Sequence, residues 1–173
     1  QYTINISFSD VIKGNEYQLT VNSNTGSERI KVKIPAGVDT GSKIRLAGKG
    51  DAGMNGGPKG DLYIIPKVPK HPVYERNGAH LSLTVDIDIF EAVLGTTGQV
   101  PTPNGSVNLK TPPASQEGKK FRLKDRGVPR LRGAGKGDLY VMVHITVPEM
   151  KDESDISTMK QLMEKYPRPD RTQ

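Results

Sequence analysis

The five residues Lys59-Gly60-Asp61-Leu62-Tyr63 recur unchanged as Lys136-Gly137-Asp138-Leu139-Tyr140, 77 positions later. Gly41-Ser42-Lys43-Ile44-Arg45-Leu46 stands the same distance before Gly118-Lys119-Lys120-Phe121-Arg122-Leu123, and Ile34-Pro35 before Thr111-Pro112. Nearer the start, Asp10-Val11-Ile12-Lys13-Gly14 resembles Glu91-Ala92-Val93-Leu94-Gly95 at a spacing of 81, so one loop is shorter in the second copy. Such a collinear series marks a tandem duplication, over roughly residues 1–70 and 75–148. Whatever one copy folds into, the other must share. Neither is long enough to bury a generous core alone, and with 34% hydrophobic residues and no Trp each gains by packing on the other or on a second chain.

Each copy reads as β. Tyr2, Ile4, Ile6 and Phe8 alternate with polar residues, as do Ile30, Val32 and Ile34. In the second copy Leu81, Leu83, Val85, Ile87 and Ile89 alternate, and so do Leu139, Val141, Val143, Ile145 and Val147. A period of two places each set on one face of a strand. Short strands punctuated by Gly, Pro and Asn point to a sandwich or open barrel. Residues 9–13 and 90–94 break the alternation just before a glycine and read as short helical turns closed by Gly14 and Gly95. Residues 67–72, with Pro69 and Pro72, read as a stiff connector. After Pro148, Ile156, Met159, Leu162, Met163 and Tyr166 fall at helical spacing, with Ser154 or Asp155 as cap and Pro167 as stop. That stripe packs either on its own domain or across a two-fold axis.

The chemistry-bearing residues form no catalytic constellation. There is no Cys, which excludes thiol catalysis and thiolate metal sites. His71, His80 and His144 are scattered without ligand spacing, so no metal site and no cofactor is expected. Gly48-Lys49-Gly50-Asp51-Ala52-Gly53 matches a dinucleotide fingerprint, but Met54-Asn55-Gly56-Gly57-Pro58 follows it and no helix of good formers can start there. Asp61 and Asp138 each open an apolar strand after Lys-Gly, which suits turn closure or a pair with a nearby Lys. The net charge of +6 favours acidic partners. Arg29, Lys31, Lys33, Lys43 and Arg45 would make a basic stripe if their strands were neighbours, so a basic β-rich nucleic-acid-binding module is the rival reading. Against it, no aromatics interleave with these cations to stack bases. No apolar stretch is long enough to span a bilayer, and no signal segment opens the chain.

The assembled pattern resembles the C-terminal client-binding region of DnaJ-type co-chaperones. The residues that carry the resemblance are Ile34-Pro35-Ala36-Gly37-Val38-Asp39-Thr40-Gly41, Arg45-Leu46-Ala47-Gly48-Lys49-Gly50 and Gly56-Gly57-Pro58-Lys59-Gly60-Asp61-Leu62-Tyr63. With them go His71-Pro72-Val73-Tyr74-Glu75-Arg76, Ala92-Val93-Leu94-Gly95, Val100-Pro101-Thr102 and Gly135-Lys136-Gly137-Asp138-Leu139-Tyr140-Val141. The resemblance implies a mostly β protein of two tandem β-sandwich-like domains with short helices, 1–70 and 71–148, followed by a dimerisation helix and tail, 149–173. It implies a homodimer that is no enzyme and that holds unfolded clients for a DnaK-type heat-shock chaperone. The client groove maps to Tyr2, Ile4, Leu19 and Val21, with Ile64 beside them, and the dimer contact to Ile156, Met159, Leu162, Met163 and Tyr166. An exposed strand edge gives such a groove sequence-tolerant backbone bonds, and apolar pockets select side chains.

The sequence departs from the family pattern in three places. The J domain and its glycine/phenylalanine linker are absent from it. The cysteine-rich zinc module is absent too, with only Asn22-Ser23-Asn24-Thr25-Gly26-Ser27-Glu28 between Val21 and Arg29. Some members bind their partner's acidic C-terminal tail through lysines flanking the Leu19 position. Here Tyr17, Gln18 and Thr20 stand there, leaving Arg29 or Lys31 to substitute. The compartment implied is the cytoplasm or the mitochondrial matrix.

Overall fold

Both copies fold in one order: strand, one-and-a-half-turn helix, antiparallel hairpin, short strand, long strand. In the computed structural model, which describes residues 1–23 and 26–166, the first copy runs β1 (Tyr2–Asn5), α1 (Phe8–Lys13), β2 (Asn15–Ser23), β3 (Gly26–Ile34), β4 (Ile44–Leu46) and β5 (Leu62–Lys67). After one extra strand, β6 (Glu75–Asn77), the second runs β7 (His80–Asp88), α2 (Ile89–Leu94), β8 (Thr96–Thr102), β9 (Gly105–Thr111), β10 (Lys120–Leu123) and β11 (Leu139–Thr146). α3 (Glu153–Lys165) follows. The pairing repeats with the order. β1 lies parallel to β5, which takes β4 antiparallel; β7 lies parallel to β11, which takes β10 antiparallel. Tyr2 faces Ile64 in register just as Leu83 faces Val141, preserving both sequence offsets. Among the described residues β2 pairs only with β3 and β8 only with β9, each hairpin forming a sheet of its own. Pro66 sits within the middle strand β5 without breaking it, because β4 begins opposite Ile64 and does not extend to Pro66, leaving no ladder bond there for its missing N–H to make.

The alternation is realised as burial. Ile4, Ile30, Val32, Ile34, Ile64, Leu81, Leu83, Leu139 and Val141 are buried and belong to one apolar cluster that runs through both copies. The short helices stand where the alternation stops. Ser7 Oγ accepts the Asp10 N–H at the start of α1, and Gly14 ends it in the left-handed region at φ 75°. The expectation that the second long strand reaches Ile89 needs correction: β7 ends at Asp88. The Asp88 side chain accepts the Glu91 N–H at 2.8 Å and the Glu91 carboxylate accepts the Asp88 N–H at 3.0 Å, a reciprocal cap that turns the chain into α2. At residues 54–56 the chain makes a single 3-10 turn, Met54–Gly56.

The repeated aspartates are latches, and their partner is Arg rather than the expected Lys. Asp61 Oδ2 accepts from Arg45 Nε at 2.7 Å while its Oδ1 accepts the Gly48 N–H at 3.1 Å. Asp138 repeats this with Arg122 Nε at 2.7 Å and the Asp125 N–H at 3.0 Å. Each latch ties the last strand of its copy to the preceding short strand and turn. In both, the backbone N–H first and the guanidinium second hold the carboxyl below the usual aspartate range. A depressed carboxylate stabilises the fold above its unfolded pKa, and that contribution disappears as pH falls through the folded value. Asp138→Asn is therefore expected to lower the melting temperature at neutral pH, and to shrink the gap from the parent protein between about pH 5 and pH 2. Melting followed by circular dichroism over that range checks this; a gap that persists at low pH would contradict it.

The copies are joined by packing. Arg76 on β6 donates from Nη1 to Val38 O at 2.9 Å and from Nη2 to Gly37 O at 3.1 Å, both in the first copy. Its Nε donates to Gly78 O at 2.8 Å, and Asp39 lies 3.7 Å from Nη1. Burial pushes this guanidinium below the usual arginine range, and the Asp39 carboxylate opposes that. Beside it the rings of Phe8, His71 and Tyr74 cluster at centroid distances of 4.7–5.7 Å, Phe8 stacked on Tyr74 and His71 tilted against both. His71 Nδ1 accepts the N–H of both Val73 and Tyr74, which fixes the end of the connector.

The last helix is capped by Asp152, ahead of both expected caps: its Oδ1 accepts from Ser154 N at 2.8 Å and from Asp155 N at 3.4 Å. No residue of α3 is buried. Pro167, read as its stop, lies outside the described residues.

Candidate functional site

Among the described residues the first copy leaves several strand edges bare, β1 and β2 among them. β1 pairs with β5 on one side only, and β2 pairs with β3 on one side only. The second copy is not bare in the same way, because β6 adds antiparallel to β7 over residues 80–82. On any antiparallel ribbon, alternate residues turn their N–H and C=O away from the partner, so β2 offers a row of unpaired groups to an incoming strand.

The residues singled out in the sequence sit at these edges to differing degrees. Tyr2 is 38% exposed on β1, and Leu19 is half-buried on β2, packed against the core. Ile4 and Val21 are buried at 8% and 9% exposure, and both belong to the same cluster as Leu19's contacts. Ile64 is wholly enclosed opposite Tyr2, so it forms a floor and offers no surface to a ligand. Tyr2 and Leu19 are thus the side chains available for contact, with Ile4 and Val21 beneath them. The mouth of β2 is braced from α1: Asp10 Oδ2 accepts from Tyr17 OH and from Ser7 Oγ, and its Oδ1 accepts from Asn15 Nδ2. The Tyr17 hydroxyl first and Ser7 second hold the Asp10 carboxyl low, and the same bond raises Tyr17.

The basic stripe is not formed. β3, with Arg29, Lys31 and Lys33, pairs only with β2, whereas β4, with Arg45, lies in another sheet and Arg45 is taken by Asp61. Lys31 is paired with Glu16 across the hairpin at 3.5 Å, while Arg29 is exposed on β3. On α3, Leu162 and Met163 are 44% and 50% exposed, Tyr166 71%, and Ile156 and Met159 half-exposed, so the helix presents its apolar stripe to solvent.

One large feature had escaped the sequence reading. A cavity of about 1010 Å³ opens at the junction of the copies, lined by Phe8, Asp39, the 68–73 connector, Tyr74, Arg76, Leu83 and Met142. Its residues had a signal, since His71-Pro72-Val73-Tyr74-Glu75-Arg76 is one of the motif runs, but nothing local says that this run faces Phe8 and Asp39. Among the described residues no group of three His, Cys, Asp or Glu could hold a metal ion, and no helix is long and apolar enough to cross a membrane.

Comparison with known proteins places this geometry in a family. The family described as DnaJ C terminal domain matches residues 1–148. Chaperone protein DnaJ 2 of Aquifex aeolicus is 49% identical over 153 residues, which cover 83% of this chain and 41% of that protein. Chaperone protein DnaJ of Bacillus cytotoxicus is 50% identical over 121 residues, 70% of this chain and 33% of that protein. The Streptococcus mutans serotype c protein of the same name is 52% identical over 122 residues, 70% of this chain and 32% of that one. The chain thus spans well under half the length of these relatives.

Proposed function

Since the chain belongs to the DnaJ C-terminal domain family, we propose that it is the client-holding part of a co-chaperone and no enzyme. In this reading the first module, residues 1–70, holds extended apolar segments of unfolded polypeptides for transfer to a DnaK-type heat-shock chaperone in the cytoplasm. Residues 71–148 carry the companion module and 149–173 the dimer contact. The observation that supports it is the pair of bare edges, β1 and β2, set over one apolar cluster, with Tyr2 and Leu19 left reachable. A client strand satisfies its backbone at such an edge whatever its sequence, and inserts alternate apolar side chains. No zinc, nucleotide or other cofactor enters the reading.

Fluorescence anisotropy with a labelled apolar peptide tests it. Tyr2→Ser and Leu19→Ser together are expected to weaken peptide binding on the order of tenfold or more, and to impair suppression of client aggregation. Tyr2→Ser alone keeps the test valid if the Leu19 change disturbs folding. Unchanged affinity in both would reject the groove. Tight binding of a labelled oligonucleotide with a steep salt slope, together with no peptide binding, would favour the nucleic-acid reading instead.

Two finer assignments go with it. The α3 stripe of Ile156, Met159, Leu162, Met163 and Tyr166 is the homodimer contact. Met159→Asp with Leu162→Asp is expected to halve the mass found by light scattering, and an unchanged mass would reject that role. Arg29, with Lys31 if Glu16 releases it, is the place for an acidic tail of the partner chaperone.

A further inference from the structure

We propose that the hairpin over residues 127–137 in the second copy is a docking finger for an acidic polypeptide segment, separate from the client groove. Its frame is the one the first copy also builds. Gly127 N donates to Gly137 O at 2.8 Å and Gly137 N to Val128 O at 2.9 Å, as Gly50 N donates to Gly60 O at 2.8 Å and Gly60 N to Asp51 O at 3.0 Å. The two loops have equal length, so positions compare one for one. Where the first loop has Ala47, Gly53 and Asn55, the second has Lys124, Arg130 and Arg132. Lys49 is held by Glu28, whereas among the described residues its counterpart Arg126 has no ion-pair partner. The frame does not need these cations, since the first loop closes without them.

The charge is also unanswered. Among the described residues no carboxylate pairs with Lys124, Arg126, Arg130, Arg132 or Lys136, while Arg45, Arg76 and Arg122 each face an aspartate. Asp125 is the one acid in this stretch of sequence. The cations sit on ordered backbone. Arg130 N donates to Gly135 O at 3.0 Å and Val128 N to Ala79 O at 2.8 Å. The arm also lies hard against the first copy: a methyl group at Gly37 would meet Pro129 O at 2.2 Å and Leu131 N at 2.9 Å. Binding here orders side chains on a backbone that is already hydrogen-bonded in place.

The chemistry selects the occupant. Guanidinium groups pair with carboxylates through two parallel bonds. Leu131, 45% exposed between Arg130 and Arg132, adds an apolar contact that a peptide side chain can meet. No Phe, Tyr or Trp lies in residues 124–136 to stack a base.

Anisotropy on the whole chain tests this with three labelled probes: a peptide alternating glutamate and leucine, the same peptide with glutamine for glutamate, and a single-stranded oligonucleotide. The acidic peptide is expected to bind, to weaken as salt is raised, and to lose on the order of tenfold or more in Arg130→Gln with Arg132→Gln. Lys110→Gln, at an exposed cation on β9 outside both the groove and the finger, is expected to leave it unchanged. The finger variant lies on an exposed loop tip and is expected to melt like the parent. Equal binding of the glutamine peptide, tighter binding of the oligonucleotide at the same arginines, or no loss in the arginine double variant would each overturn the proposal.

Discussion

Gly137→Ala is expected to cost about 3 kcal/mol or more in a urea unfolding experiment, while Gly60→Ala, at the same place in the repeated pentapeptide, costs nothing or stabilises by up to ~1 kcal/mol. A methyl group at Gly137 would sit 2.1 Å from Ala79 O and 2.4 Å from Ala79 C, with His80 N at 2.9 Å. All three are backbone atoms, so no side chain can swing aside. At Gly60 the nearest atom is Asp51 O at 3.8 Å, an ordinary contact. The local sequence Lys-Gly-Asp-Leu-Tyr is identical, so intrinsic propensity cancels between the two substitutions. What differs is the β6–β7 hairpin, which brings Ala79 over the second copy and has no counterpart described over the first. Equal effects at both glycines would refute the close approach as the cause.

Replacing Arg76 with Met is expected to be nearly as severe, and in a different way. It keeps the apolar stem but removes donors from Gly37 O, Val38 O and Gly78 O. A charge-assisted bond is worth about 1.5–3 kcal/mol, and two of these cross the junction, so a loss of about 3 kcal/mol is expected. The unfolding curve should split into two transitions, because the first copy no longer shares the fate of the second. Proteolysis within residues 68–72 should quicken with it. Arg76→Lys is not expected to rescue, since one ammonium cannot span three carbonyls set in a fork. A single undivided transition in the Met variant would show that Phe8, His71 and Tyr74 suffice to hold the copies together.

Much of this fold was legible because its signals are local. The period of two in residues 30–34 and 139–145 became strands with the anticipated buried faces, and the breaks before Gly14 and Gly95 became helices. The repeated pentapeptide marks β5 and β11 as equivalent strands, since its Leu-Tyr opens both. Errors fell where a side chain competed with the pattern: Asp88 and Glu91 capped each other and ended a strand that hydropathy would have continued. Pairing between distant strands was not legible. Nothing in Arg29, Lys31 and Lys33 says that β3 and β4 lie in different sheets, and so the stripe with Arg45 dissolved. In the candidate groove, sequence placed Tyr2, Ile4, Leu19 and Val21 near the right edges but could not grade them, because burial depends on packing. Ile64 reads like its neighbours in the sequence and is nonetheless sealed beneath them. The junction was hidden for the same reason, since Arg76 finds its acceptors nearly forty residues earlier.

The parallel closing pair of each copy has a consequence for how the chain comes to be folded. β1 needs β5, whose residues arrive about sixty positions later, and β7 waits as long for β11, whereas the β2–β3 and β8–β9 hairpins close at once. During synthesis β1 therefore spends seconds as an apolar segment with no mate, and β7 as long with only residues 80–82 paired, to β6, at ordinary elongation rates. A chain that we propose shelters such segments in others passes, twice over, through the condition it relieves.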